Sequence, residues 1–188
     1  LQSLLIGFGR VCLAGYQIGA NLNNIICAPS MAMGVACTAL ISQTLGKRDW
    51  EGAKEYVKAA NFIIYTVFIG ISILMFLAAP VFSRMYSSDP EVIAEGTFFA
   101  RMFALMALPI GVMQSMAGVL RGAGDAKYIA VTNVVGLWIM RECLVWLLSI
   151  WTGNGHLAVV IGCGSDFLWR AISYALRVRK GNWLHIRV

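Results

Sequence analysis

The chain has 188 residues, of which 59% are apolar and 13% charged, and its mean hydropathy is +0.73. A soluble domain carries about 25% charged and roughly 45–50% apolar residues, so both deviations exclude an ordinary water-soluble fold. The net charge of +6 lies in short loops between apolar runs rather than in one stripe, which excludes a nucleic-acid surface and suits the flanks of membrane spans.

Five segments reach the roughly 20 apolar residues that a bilayer-spanning helix needs: residues 12–45, 59–82, 92–120, 128–150 and 157–176. The first holds Pro29 as its expected kink. It also carries Gln17, Asn21 and Asn24, which share one helical face. Amides there either line a cavity or hydrogen-bond to neighbouring helices. Residues 46–49 end this span. The stretch 50–58, with Glu51, Lys54, Glu55 and Lys58 in opposite-charge pairs at i,i+3, reads as a solvated helix lying on the membrane surface. A turn at residues 87–90 supplies an N-cap for the third span, which contains Pro109. Residues 121–125 separate the third and fourth spans, and residues 152–155 form a tight turn before the fifth. Such short links make neighbours antiparallel. Backbone polar groups must be satisfied inside lipid, and no strand-like alternation is present. The fold class is therefore all-α, a polytopic transmembrane helix bundle forming a single domain over residues 1–188.

Loop charge sets the expected orientation. One face of the membrane receives Lys47, Arg48, Lys54, Lys58, Arg121, Lys127, Arg177, Arg179, Lys180 and Arg187, and the other only Arg10 and Arg84. The positive-inside rule puts the ten, and the C-terminus, in the cytoplasm. Trp50, Tyr86, Tyr128, Trp151 and Trp183 fall near the expected interfaces, as an aromatic belt does.

Inside the spans stand Arg101, Arg141, Glu142, Asp166 and Arg170. A charge at mid-bilayer costs at least about 2.5 kcal/mol on insertion scales, so each needs a partner or a wet cavity. Arg141 lies ten residues before Trp151, and Asp166 eleven after Gly155. Both are then roughly 15 Å from the hairpin turn. Asp166 is expected to pair with Arg141, Arg170 or both, either as a buried ion pair locking the hairpin or as a proton or cation relay. Glu142 points about 100° away from Arg141 on the helix and is the better candidate for a titrating group. Cys12, Cys27, Cys37, Cys143 and Cys163 lie in or beside apolar segments without a CxxC pair. They read as small buried hydrophobes, not as metal ligands or disulfides. His156 and His185 fall at opposite faces, and no nucleophile–base–acid set is present. No enzyme, resident cofactor or metal is expected.

The stretch LAGYQIGANLNNIICAPSMAMGVACTALISQTLGKRDWEGAKEY (residues 13–56) and the loop GVLRGAGDAKY (residues 118–128) resemble the multidrug and toxic compound extrusion (MATE) family. Trp138, Arg141, Asp166, Arg170, Gly181 and Trp183 resemble its C-terminal lobe in particular. The likeness runs over nearly the whole chain. It implies one lobe of a two-lobe secondary antiporter that exports organic cations or drugs in exchange for H+ or Na+ by alternating access. The implied partners are the lipid bilayer of the plasma (inner) membrane, an N-terminal lobe, and amphiphilic or cationic small molecules. The motif Arg121, Gly122, Gly124 and Asp125 would form a structural hinge or cytoplasmic contact. The chain opens at Leu1 inside an apolar stretch, which leads us to expect a fragment lacking the first helix of the lobe. The acids that bind the coupling cation in some members of the family would lie on that first helix and in the core of the third, where this chain has Arg101, Gln114 and Ser115. Glu142 and Cys143 stand where the family more often has an apolar residue and proline, so coupling residues do not carry over. The alternatives are a lipid-linked saccharide flippase of the same superfamily, kept open by Arg101, Arg141 and Arg170, and a non-transporting membrane fragment.

Overall fold

The computed structural model describes residues 10–152, 155–181 and 183. Residues 153–154 of the turn expected at 152–155, the stretch 1–9, and Arg187 and His185 lie outside these, as does the side chain of His156. Helix α1 (Arg10–Gly46) runs 37 residues through Pro29 without a break. It ends in a Schellman turn: the Arg48 and Asp49 amides donate to the carbonyls of Leu45 (3.0 Å) and Thr44 (2.9 Å). Asp49 then caps the next helix, accepting from the Gly52 amide at 2.9 Å.

Helix α2 (Trp50–Tyr86) is also 37 residues long. It absorbs the charged stretch 50–58, which is not a separate surface helix. Glu51, Ala53, Lys54, Glu55, Lys58, Ala59 and Ala60 are mostly good helix formers, and nothing after the Asp49 cap breaks the pattern. The expected i,i+3 ion pairs among those charges are not formed among the described residues. At 1.5 Å per residue such a helix is about 55 Å long, well beyond a hydrocarbon core of roughly 30 Å. Its charged turns therefore project past the apolar layer. Phe62, Ile73, Leu74, Leu77, Val81 and Met85 are all exposed along it, an apolar face far larger than a soluble monomer shows.

Helices α3 (Pro90–Leu105) and α4 (Ala107–Gly122) occupy the third segment. Asp89 caps α3 by accepting from the Glu91 amide at 3.0 Å, with Pro90 in the first turn. The two helices meet at Met106 with a 44° bend. Pro109 has no N–H for the Leu105 carbonyl and its ring crowds that carbonyl, so the ladder opens there. The break expected of a proline thus falls before Pro109 and not at Pro29.

The fourth segment is continuous but changes pitch. Helix α5 (Ala126–Val135) passes into a π-helical stretch (Gly136–Cys143) and then α6 (Leu144–Thr152). Helix α7 (Gly155–Arg179) returns along it. Among the described residues three helical units are long and apolar enough to cross a membrane, or four if the bent α3–α4 pair is one span; α7, expected as a further span, is not one of them.

Helix α1 packs along α3 and α4, α2 covers those two, and α7 lies against α4 and the π-helical stretch. Lipid removes the hydrophobic drive between helices, so close approach through small residues takes over. At the α1–α4 crossing a Cβ on Gly118 would strike the Gly34 carbonyl. Thr38 Oγ1 donates to the Gly34 and Gly118 carbonyls at 2.8 and 3.0 Å, tying the helices together. One buried cluster gathers Ile41, Ile64, Phe68, Met116, Leu120 and Tyr174; a second gathers Tyr16, Phe99, Phe103, Val145 and Cys163. Trp183 is 2% exposed and donates to the Val178 carbonyl at 2.8 Å. It belongs to the first cluster and not to an interfacial belt.

Candidate functional site

Two separate polar regions carry the candidate residues. The first is the outer face of α1. Gln17, Asn21 and Asn24 are all exposed, while Tyr16, Ile18, Leu22 and Ile26 on the opposite side are buried. Ala28, Met31 and Val35 continue the exposed stripe. The face is unoccupied within this bundle and combines amides with adaptable apolar side chains.

The second region lies between α5, the π-helical stretch and α7. Asp166 is fully buried, and its Oδ2 accepts from Arg170 Nη2 in an i,i+4 ion pair. Arg170 Nη1 also reaches Asn133 Oδ1 at 3.4 Å. Tyr174 Oη donates to the same Asn133 oxygen at 2.8 Å. Asp166, Arg170, Tyr174 and Arg177 thus form one stripe on α7 facing α5. Asn133 and Tyr174 were missed by the sequence reading; the i+4 spacing of Tyr174 from Arg170 was a usable signal, whereas Asn133 is reached only across the helix contact.

The hairpin register differs from the expected one. Gly136 lies against Asp166: a Cβ there would collide with Asp166 Oδ1 and crowd Arg170. The Arg141 carbonyl lies instead against Gly162. Equal counting from the turn assumed ideal α-helix on both strands of the hairpin, whereas one strand carries a π-helical stretch. Arg141 therefore sits about a turn from Asp166 along the hairpin. Its guanidinium remains within electrostatic reach of Tyr16, Cys163, Asp166 and Glu142. Of the expected partners, Arg170 binds the aspartate directly and Arg141 does not.

The family-like loop after α4 is a clamp. Gly124 adopts φ 80°, a conformation that favours glycine. The Gly124 and Asp125 amides donate to the carbonyls of Arg121 (3.0 Å) and Leu120 (2.9 Å), a second Schellman turn. Gly122 lets α4 approach Thr38 and Ile41 of α1. The buried Asp125 carboxylate accepts from Arg177 Nε at 2.8 Å, and that guanidinium stacks 4.9 Å from the Tyr128 ring centroid. Arg121 is exposed and donates to the Ala117 carbonyl at 3.3 Å. A cavity of about 220 Å³ opens beside it, lined by Gln114, Arg121, Asn133, Arg170 and Tyr174 among others.

Three buried arginine Nε donors, on Arg101, Arg141 and Arg170, lack a hydrogen-bond partner, as does Asp166 Oδ1. Arg101 instead stacks 5.1 Å from the Phe76 ring centroid. Such groups can hold water or a ligand acceptor. Among the described residues no group of three His, Cys, Asp or Glu stands together as a metal site.

A bundle with an apolar outer face, polar side chains spaced along its interior helices and a small-residue helix crossing is the architecture of an integral membrane helix bundle. The MatE family model matches residues 1–147, and the chain belongs to that family of transporters, not to an enzyme family. The probable multidrug resistance protein YpnP of Bacillus subtilis is 24% identical over 97% of the chain and 41% of its own length. The probable multidrug resistance protein NorM of Mannheimia succiniciproducens is 30% identical over 79% of the chain and 32% of its own length. The eukaryotic MATE transporter AtDTX14 shares the fold at a TM-score of 0.86 and 20% identity, covering 93% of this chain and 39% of that one. A MOP superfamily transporter from Pyrococcus furiosus shares it at 0.83 and 21%, covering 100% of this chain and 42% of that one. The chain spans about two fifths of the length of most of these proteins.

Proposed function

We propose that the chain forms one lobe of a secondary active efflux transporter, exporting amphiphilic or cationic small molecules in exchange for H+ or Na+ across the plasma membrane. The observation that carries this reading is the exposed stripe of Gln17, Asn21, Asn24, Met31 and Val35 on α1. Amides between bare apolar residues on a helix this long suit a wet cleft closed by a second lobe better than they suit lipid. The relatives named as multidrug resistance proteins support the substrate class. In this reading the Arg170–Asp166 pair neutralises the buried charge on α7, the bonds of Arg170 and Tyr174 to Asn133 hold α7 to α5, and Glu142 is the candidate for proton exchange. The ten basic residues face the cytoplasm with the C-terminus, and α7 is taken as a fifth crossing beside the four that length and hydropathy support.

A second reading, export of an anionic lipid-linked substrate, is favoured by the three unpartnered arginine Nε donors and the cavity lined by Arg121 and Arg170. Dye efflux distinguishes the two. Cells producing this lobe together with an N-terminal lobe are loaded with a fluorescent organic cation and followed with and without a protonophore or a Na+ gradient. The first reading expects gradient-dependent efflux that the lobe alone does not support. Absence of efflux for several cationic dyes by a folded two-lobe assembly would overturn it in favour of the second.

A further inference from the structure

The first turns of α2, the middle of α4 and the last turns of α7 enclose a second and larger cavity, of about 630 Å³. Its apolar wall includes Val112, Met116 and Val178, and Trp183 closes one side, held by its bond to the Val178 carbonyl. Lys54, Lys58 and Arg179 also line it, and no acidic side chain does. Glu51 and Glu55 stand within four residues of the lysines, yet none of the three cations is taken up by an ion pair among the described residues. Asn61 and Tyr65 follow Lys58 one and two turns further along α2 and line the same space. From the charged turns inward, the lining therefore passes from three cations, through two hydrogen-bonding side chains, to hydrocarbon.

That gradient matches one kind of molecule. A free inorganic anion would use only the cations and leave most of the volume empty. An apolar solute would leave three cations uncompensated. The volume lies within the roughly 300–1,000 Å³ of pockets that take a whole small ligand. The cavity also lies at the end of the bundle where Lys47, Arg48, Lys127 and Lys180 gather, a basic end that the proposed orientation sets at the lipid headgroups. Basic pockets between membrane helices hold anionic headgroups in this way.

We propose that this cavity binds an anionic phospholipid of the adjoining leaflet, its phosphodiester between Lys54, Lys58 and Arg179 and the start of an acyl chain against Val112 and Met116. The bound lipid would join α2 to α7, which otherwise meet across open space there. The proposal does not depend on what the lobe transports.

Native mass spectrometry of the detergent-purified chain tests it. Phosphatidylglycerol and phosphatidylcholine with the same acyl chains compete for binding, and inorganic phosphate is added as a third arm. Each basic side chain near a headgroup contributes about five-fold in affinity, so phosphatidylglycerol should be preferred by on the order of twenty-fold or more. The K54Q/K58Q double variant should lose that preference. The K47Q/R48Q variant removes the same charge from the same end, outside the cavity, and should keep it. R179Q supplies an independent loss from the α7 side. A preference that survives in K54Q/K58Q, or that falls equally in K47Q/R48Q, overturns the proposal. Displacement of the lipid by inorganic phosphate overturns it too, in favour of a free-phosphate site.

Discussion

Asp125 and Arg177 tie the loop after α4 to the last turns of α7, and the same arginine stacks on Tyr128. A hydrogen bond between charged groups contributes about 1.5–3 kcal/mol. Asp125→Asn should lower stability by about that amount, read as a fall in Tm in detergent, because it leaves the Arg177 guanidinium without its anion. An unchanged Tm would mean that solvent screens the pair. Arg48 presents the opposite case. It holds φ 57° at the end of α1, a strained conformation for a side chain with a Cβ. Arg48→Gly should therefore raise stability by up to about 1 kcal/mol, part of the relief being offset by the greater freedom of glycine in the unfolded chain. Loss of stability in that variant would show that the Arg48 side chain has a role of its own. Glu142 is placed near Arg141 on the π-helical stretch. If it carries the exchanged proton, Glu142→Gln should flatten the pH dependence of transport, and an unaltered pH profile would remove it from the coupling path.

Helix crossings decide which glycines matter. Gly118 meets the Gly34 carbonyl at the α1–α4 contact, whereas Gly70 on the outer side of α2 has nothing near its missing Cβ. Gly118→Ala should cost about 1–3 kcal/mol through the forced separation of the helices. Gly70→Ala should be neutral or gain up to about 1 kcal/mol from helix propensity. Comparable melts for the two variants would mean that the crossing is not the element that fixes this bundle. At this scale the sequence was readable for helix type and poor for helix continuity. Apolar run length located each helical segment, but it could not tell that the charged turns 50–58 extend α2, because charge marks water contact and not a break. Proline position alone could not say that Pro109 accompanies a bend while Pro29 lies inside an unbroken helix; neighbouring helices decide whether the ladder opens. The π-helical stretch left no trace in apolar periodicity over only eight residues, and it shifted the hairpin register that equal counting had placed.

For the molecule as a whole, composition and the loop at residues 118–128 already pointed to a membrane-embedded lobe of the family whose model matches the chain. The Asp166–Arg170 pair was legible because i,i+4 spacing is a local rule. The ring of Asn133, Tyr174 and Arg121 around a cavity was not, because it depends on how three helices meet. In the proposed function the exposed amides of α1 line the transport cleft, which they do only if a second lobe faces them. Cysteine accessibility tests that claim most directly. Gln17, Asn21 and Asn24 are replaced singly by cysteine in a background lacking the five native ones, in cells that carry both lobes, with Leu74→Cys on the exposed apolar side of α2 as the reference. The account predicts rapid labelling at the three α1 positions by a membrane-impermeant, water-requiring thiol reagent, slowed by a transported cation, and little labelling at residue 74. Labelling of the α1 positions as slow as that of Leu74→Cys, with no effect of the cation, would contradict it.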